Sequence, residues 1–390
     1  MQILLVTGPG GAGTSTVAAA TALRLADGGS RVVLLTTRPP AVAGLDAEIR
    51  VDTVEPQRAL EDVWGRHADA LAALVPLLTV PPASSVVPVP AVPEFALLAA
   101  LAGHAAAGDT DVVVLDAGPL AAAAALVALP GALRWWLAQA APQRLRLLAG
   151  LRAAVVPGRP GGIAAALAGV AALEDLLDRV ALTDPARTSV HLVLRPEPAA
   201  GADLRATATG LAVLGQGVAS VTLGRVLPGT AGEWAAQRSA VQRAAVAAVR
   251  DLVDDGDGTV VGPVREVAEA AVPPADVAAL RALGAGLPVA SPVVVAPAAP
   301  RRDGGDWLLT VPLPFARRGG VELTRWTDDL VVTAAGQRRS LRLDPLLRRC
   351  TVAGGSLSRP GTAAASLDVR FTPDPAQWPA GMLDAEGSTA

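Results

Sequence analysis

Gln2-Ile3-Leu4-Leu5-Val6-Thr7-Gly8-Pro9-Gly10-Gly11-Ala12-Gly13-Thr14-Ser15-Thr16-Val17-Ala18-Ala19-Ala20 is the stretch that decides the fold. Residues 2–7 form an apolar run, the pattern of a strand buried on both faces. Residues 8–13 are a glycine loop, in which successive N–H groups can turn inward around an anion. Residues 15–26 read as an apolar helix that stops at Gly28-Gly29, where glycine accepts the left-handed cap. Residues 31–37 make a second apolar strand. A strand, loop, helix and strand in this order form a right-handed crossover, so a parallel sheet with helices on both faces is predicted.

Further buried strands are expected at residues 111–116, 190–194, 218–223 and 259–261, with helices at 97–107, 133–151, 163–181 and 233–253 between them. Residues 76–93 carry many prolines and no charge, and read as a loop. After residue 306 the texture changes. Short segments at 307–311, 321–325, 330–333, 337–343 and 367–371 are separated by turn residues, including Gly354-Gly355, with no helical pattern between them. That predicts a small antiparallel β-sandwich. The expected organisation is an α/β P-loop-type domain at 1–288 with a helical insertion at about 60–105 and 120–182. A linker at 289–305, the sandwich at 306–375 and a tail at 376–390 follow.

Among the 390 residues, 51% are hydrophobic and the net charge is −3, too weak to indicate a nucleic-acid partner. Lysine, asparagine and tyrosine are absent, so every basic side chain is an arginine. The single cysteine, Cys350, excludes an internal disulfide and any cysteine-built zinc site. The N-terminus has no basic leader, and the uncharged run 117–133 is broken by Pro119, Pro130 and Gly131. A buried helix is expected there rather than a membrane span, and the protein is expected to be cytoplasmic.

The chemistry of the loop is unusual. Gly8, Gly10, Gly11 and Gly13 supply the phosphate cradle, the helix beginning at Thr14 adds its positive end, and Ser15 is placed to offer a hydroxyl to Mg²⁺. Where phosphate loops carry the lysine that reaches the β- and γ-phosphates, this chain has Thr14. Arginine was available to this sequence and is not used there.

On these residues the chain resembles the ArsA family of arsenite-pump ATPases, which includes the ATPase that delivers tail-anchored membrane proteins. The family loop reads G-K-G-G-V-G-K-[ST]-T, and Gly8, Gly10, Gly11, Gly13, Ser15 and Thr16 match it, whereas Pro9 and Thr14 replace its lysines. The family's first switch, S-T-D-P-A, corresponds to Thr36-Thr37-Arg38-Pro39-Pro40, and its second begins at Asp116-Ala117-Gly118-Pro119-Leu120. Leu129-Pro130-Gly131-Ala132-Leu133-Arg134-Trp135-Trp136, residues 182–190 and Arg225-Val226-Leu227-Pro228 also resemble family motifs. The C-terminal sandwich resembles the α-crystallin-like domain attached to many bacterial members.

The resemblance implies an ATP- or ADP-binding site with Mg²⁺ held by Ser15 and Asp116, and a dimer. It also implies what has been lost. Arg38 stands where the family carries the aspartate that orients water, Gly224 where an asparagine reads adenine, and Pro9 where a lysine reaches the partner's nucleotide. No catalytic residue is assigned. Arg38 is expected either to pair with Asp116 in place of the ion or to point into solvent. The arsenite site of the family's pumps uses three cysteines, which this chain lacks. Trp135-Trp136 is either core packing or a client surface, and His191, inside an apolar strand, is expected to be a satisfied core histidine. Arg338-Arg339, Arg342 and Arg348-Arg349 make the sandwich strands basic, either as a solvated face or as an acidic-partner surface.

The leading expectation is a non-hydrolysing binding or regulatory subunit, either a homodimer or a heterodimer with an intact ArsA-type paralogue. Weak, partner-assisted ATP hydrolysis and a nucleotide-independent, chaperone-like holdase for a protein client are the alternatives.

Overall fold

The computed structural model describes residues 1–74, 80–140, 162–180, 182, 184–229, 231–255, 261–287, 292, 293, 295, 297 and 299–377. In chain order the first half runs β1 Gln2–Gly8, α1 Thr14–Asp27, β2 Val32–Thr36, α2 Leu45–Glu48, β3 Arg50–Thr53, α3 Pro56–Leu74, α4 Val92–Ala107, β4 Val112–Pro119, α5 Leu120–Ala140 and α6 Gly162–Arg179. It continues with β5 Thr188–Leu194, α7 Ala200–Val213, β6 Val218–Val226, α8 Glu233–Asp254, β7 Val264–Ala268 and α9 Val277–Gly284. The C-terminal part is β8 Arg301–Asp303, β9 Asp306–Pro312, β10 Val321–Trp326, β11 Asp329–Ala334, β12 Gln337–Arg342, α10 Pro345–Arg348, β13 Cys350–Ser358 and β14 Ser366–Pro373.

The α/β part is a seven-stranded parallel sheet in the order β3-β2-β4-β1-β5-β6-β7. Its strands are continuous runs of Val, Leu and Ile, as a sheet covered on both faces requires. The chain divides into two compact units, Met1–Thr188 with Val272–Leu287, and Ser189–Ala271 with Pro288–Ala390.

In the first unit, β1 pairs with β4 and β2 with both β4 and β3, all in parallel. Ile3, Leu5, Leu34, Leu35, Val114 and Leu115 are fully buried. Helix α9 closes over α1: Arg281 bridges Asp27 at 2.9 Å and Glu48 at 2.7 Å. A side chain at Gly284 would bring a Cβ to 3.0 Å from the Ala20 carbonyl. The three charges are half-exposed, so the close helix contact contributes more than the ion pairs. Strand β3 was not legible as a strand, because Arg50 and Asp52 break its apolar pattern.

Helix α5 starts thirteen residues before the expected helix at 133 and begins directly where β4 ends. Residues 141–151 of that expectation lie outside the described residues. α5 is the one described helix long and apolar enough to cross a membrane, by length and composition only. The expectation of a buried helix holds for one side of it: Ala123, Leu126, Val127 and Pro130 are buried. Trp136 is 64% exposed and meets Trp135 edge to face at 4.9 Å, so core packing does not describe it.

In the second unit, β5, β6 and β7 are parallel neighbours. The last strand comes later than the expected 259–261. Val261 makes only an isolated bridge to Val218, and pairing resumes after Pro263, which has no N–H to donate. Residues 259 and 260 lie outside the described residues. The sandwich has a three-stranded sheet, β10-β11-β12, and a four-stranded sheet, β13-β14-β9-β8, enclosing Leu330, Val332, Leu347, Cys350, Val369 and Phe371. Gly354-Gly355, expected as a turn, lies within β13, where the register shifts between Val352 and Gly354. A Cβ at Gly355 would sit 3.0 Å from Leu323, so the close approach of that side chain favours glycine at 355.

Helix α7 packs on β11 and β12: the Thr209 hydroxyl donates to the Pro314 carbonyl at 2.6 Å, and Val213 joins the sandwich core. Apart from Arg339, the sandwich arginines Arg338, Arg342 and Arg348 are engaged within the chain. Arg342 pairs with Asp328 and Asp329, Arg338 with Glu322, and Arg348 donates to the Leu343 carbonyl. Arg339 lies against Gly215, whose φ of +85° brings the chain under its guanidinium. Burial pushes the Arg339 pKa down, and its side chain has no hydrogen-bond or ion-pair partner among the described residues. An unpaired, partly buried cation costs more than its apolar stem contributes. Arg339→Met is therefore expected to stabilise the fold by about 1 kcal/mol, read as a higher urea midpoint. A lower midpoint would count against it.

Candidate phosphate-binding site

The first unit brings the loop, Thr36, Arg38, Asp116 and Pro119 to the C-terminal edge of β1, β2 and β4. β1 enters the loop at Gly8, where chain direction changes. Gly11 and Gly13 have φ of +77° and +94°, which explains those two glycines by backbone alone. Gly10 is different. Its φ is not left-handed, and a Cβ built on it meets nothing within 4 Å. Nothing in the protein demands glycine there, so the open space beside it is the remaining reason for a bare backbone.

The donors of the loop are unspent. The Ala12 N–H bonds the Pro9 carbonyl at 3.2 Å and the Val17 N–H bonds the Gly13 carbonyl at 2.9 Å. Among the described residues, the N–H groups of Gly10, Gly11, Gly13, Thr14, Ser15 and Thr16 have no acceptor in the chain. Gly13 caps α1 in the left-handed region without a side-chain bond. A row of free N–H groups with a helix dipole behind it is an anion cradle.

Asp116 is 6% exposed and sits in register with Val6 across β1 and β4. The Thr36 hydroxyl has one hydrogen to share between the Arg38 carbonyl at 3.1 Å and Asp116 Oδ2 at 3.2 Å, and it accepts from the Arg38 N–H at 3.0 Å. The Gly118 N–H donates to Oδ1 at 3.2 Å. Of the two alternatives expected for Arg38, the solvent-facing one holds: its side chain is exposed and forms no ion pair with Asp116. The main chain of Arg38 is tied to the Thr36 hydroxyl, and Asp116 accepts from the Gly118 N–H and shares the Thr36 hydroxyl instead. Asp116 is thus a buried side chain with neutral donors only, an arrangement that a cation beside it would stabilise.

The segment after Asp116 is fastened to the loop. Pro119 pairs with Gly8, and the Thr7 hydroxyl donates to the Gly118 carbonyl at 2.9 Å. α5 then begins at Leu120 with no loop between. Sequence reasoning assigned no role to Thr7 or Thr36. The available signal was a threonine closing each of two otherwise apolar strands. Gly224, at the adenine-reading position of the resemblance, is buried within β6 of the second unit.

Phosphate groups and Mg²⁺ fit the residues present: Gly10, the free N–H groups, Ser15 and Asp116 are the right donor set for them. The fold and this loop define a P-loop-type α/β protein. The chain belongs to the anion-transporting ATPase (ArsA) family, which it matches over residues 1–261, and residues 304–371 match the HSP20-like domain found in ArsA proteins. It is 36% identical over 409 residues to the uncharacterised protein SCO2128 of Streptomyces coelicolor, covering 98% of this chain and 100% of that one. It is 29% identical over 433 residues to protein Rv2184c of Mycobacterium tuberculosis, covering 97% of each.

Proposed function

We propose that the chain is a non-hydrolysing, nucleotide-binding member of its family that acts as a binding or regulatory subunit. The row of free loop donors with no lysine at position 14 carries this reading. The free N–H groups of Gly10, Gly11, Gly13, Thr14, Ser15 and Thr16 would hold phosphate oxygens, and Ser15 and Asp116 would hold Mg²⁺, which would offset the phosphate charge. Hydrolysis needs more: a cation on the leaving and transferred phosphates, and a group that orients water. Thr14 supplies no charge and Arg38 cannot accept a proton from water. The pinning of Gly118 and Pro119 to β1 further favours a fixed site over one that switches.

Calorimetric titration with Mg·ADP and Mg·ATP tests this, together with phosphate release. Saturable binding is expected without turnover, and Ser15→Ala is expected to weaken the Mg²⁺-dependent part about 3- to 10-fold, the loss of one metal-ligating hydroxyl. Phosphate release by the chain alone, abolished by Ser15→Ala, would refute the proposal. The open cation position also favours a second reading, a dimer in which an intact paralogue supplies the charge. Turnover that appears only on mixing with such a paralogue would select it.

A further inference from the structure

Two loops at one end of the sandwich carry exposed arginines. Residues 313–320, between β9 and β10, hold Arg317 and Arg318, and residues 359–365, between β13 and β14, hold Arg359. None of the three guanidiniums makes an ion pair or hydrogen bond among the described residues. We propose that these loops, together with Arg205 of α7, form a docking surface for an acidic segment of a partner protein, a run of Asp or Glu side chains. The surface is independent of the glycine loop.

Three observations carry it. First, the arginines stand on backbone that is already fixed. Pro360-Gly361 makes a tight turn, closed by the Thr362 N–H on the Arg359 carbonyl at 3.3 Å, and Gly361 takes the φ of +82° that the turn requires. The turn is stitched to the other loop. The Gly361 N–H donates to the Ala316 carbonyl at 2.7 Å, and the N–H of the buried Phe315 donates to the Thr362 carbonyl at 2.7 Å. Arg317 and Arg318 follow Ala316 directly, so these bonds set them beside Arg359. Helix α7 joins the same end. The Thr209 hydroxyl shares its hydrogen between the Pro314 carbonyl at 2.6 Å and the Arg205 carbonyl at 2.8 Å, and Arg205 lies one turn before Thr209 on the same face. A partner docking on ordered positions loses less entropy than one that must order them.

Second, the patch has no counter-charge. The chain has 36 Asp and Glu residues, yet neither loop contains one. The acidic residues next along the chain are committed or turned aside. Glu322 pairs with Arg338 at 3.6 Å, and Asp368 accepts from the Thr310 hydroxyl at 2.7 Å and from Ser358. Asp203 is two positions from Arg205 and therefore on another side of α7. Elsewhere in the sandwich Arg338, Arg342 and Arg370 each have a carboxylate within reach. Like charges gathered without an opposite charge repel, and a carboxylate-rich partner removes that repulsion.

Third, the chemistry of the patch selects the partner. Guanidinium forks bind carboxylates through paired hydrogen bonds. Neither loop exposes an aromatic ring on which a nucleic-acid base could stack, or a large apolar side chain that could enter a bilayer. An acidic peptide is thereby favoured over RNA and over an anionic membrane.

The probe is a fluorescein-labelled octaglutamate peptide, titrated into the full chain at about 50 mM salt and followed by fluorescence polarisation. Saturable binding is expected, and none to octaglutamine. Combining Arg317→Glu, Arg318→Glu and Arg359→Glu should weaken binding about 10-fold or more without lowering the urea midpoint, because all three side chains are exposed. A charge-matched control combines Arg24→Glu, Arg66→Glu and Arg301→Glu, exposed arginines elsewhere, and should change binding less than about 2-fold. If the first set lowers the midpoint, Arg317→Gln with Arg318→Gln and Arg359→Gln gives the same reading, a loss of about 3-fold or more. Saturating Mg·ATP should not displace the peptide. Absence of saturable binding, an equal loss in the control set, or displacement by Mg·ATP would each overturn the proposal. So would tighter binding to phosphatidylserine vesicles or to oligouridylate than to the peptide.

Discussion

A Thr14→Lys variant is expected to bind Mg·ATP about 10- to 100-fold more tightly than the natural chain while releasing no more phosphate than background. A lysine at the first position of α1 would add a charge-assisted bond to a cradle whose N–H groups already face outward. Such a bond contributes about 1.5–3 kcal/mol, which sets the size of the effect. Turnover should remain absent because the position following Thr36-Thr37 is still Arg38. In the family this position carries a carboxylate that orients the attacking water. Adding Arg38→Asp to Thr14→Lys is expected to bring measurable turnover. Arg38 is exposed and forms no ion pair among the described residues, so the second change should not disturb the fold. No gain in affinity in Thr14→Lys would show that the loop is not the cradle argued for above, and turnover in Thr14→Lys alone would show that Arg38 is not what prevents hydrolysis.

The fold should lose about 3 kcal/mol of stability between pH 6.5 and pH 4 through His191 alone. His191 is 6% exposed in β5, and burial lowers its pKa from 6.5 to about 4. Its Nε2 meets the Ser189 hydroxyl at 2.9 Å and its Nδ1 the Ser220 hydroxyl at 2.7 Å, with no carboxylate bonded to the ring among the described residues. The native state therefore holds the neutral imidazole, and the unfolded chain takes up a proton first. Stability from this group is complete above pH 6.5 and falls as pH drops toward 4, where native protonation begins. His191→Gln keeps a neutral polar side chain between the serines and removes the titration. The difference between the two unfolding curves across this pH range should isolate the effect. Asp27, Asp109, Asp111 and Asp306, whose pKa values are lowered by hydrogen bonds and arginines, act below their usual range near 3.8 and are common to both chains. Parallel curves would rule the mechanism out.

The same histidine shows how far the sequence reaches. Its place inside an apolar strand predicted a satisfied core residue, and the two serines provide that. Neither serine was singled out as its partner, since Ser220 belongs to another strand 29 positions away. The place of the glycine loop between β1 and α1 was legible, because it is carried by consecutive residues. The sandwich was legible through its alternation, except for β8, too short to show a pattern, and β13, whose two glycines imitate a turn. The helix after Asp116 was placed late because alanine and leucine runs do not mark where β4 ends; pairing of Pro119 with Gly8 does.

Composition and order along the chain thus determined the parallel sheet, the phosphate loop and the loss of its lysine. All three depend on neighbours in sequence and on hydrophobic period. The tertiary structure decided which charges meet. Gly118 and a shared Thr36 hydroxyl, rather than the Arg38 side chain, meet Asp116, and Thr209 joins α7 to the loop that carries Arg317 and Arg318. Such outcomes depend on side chains far apart in sequence, whose energies are set by burial and by the single partner within reach.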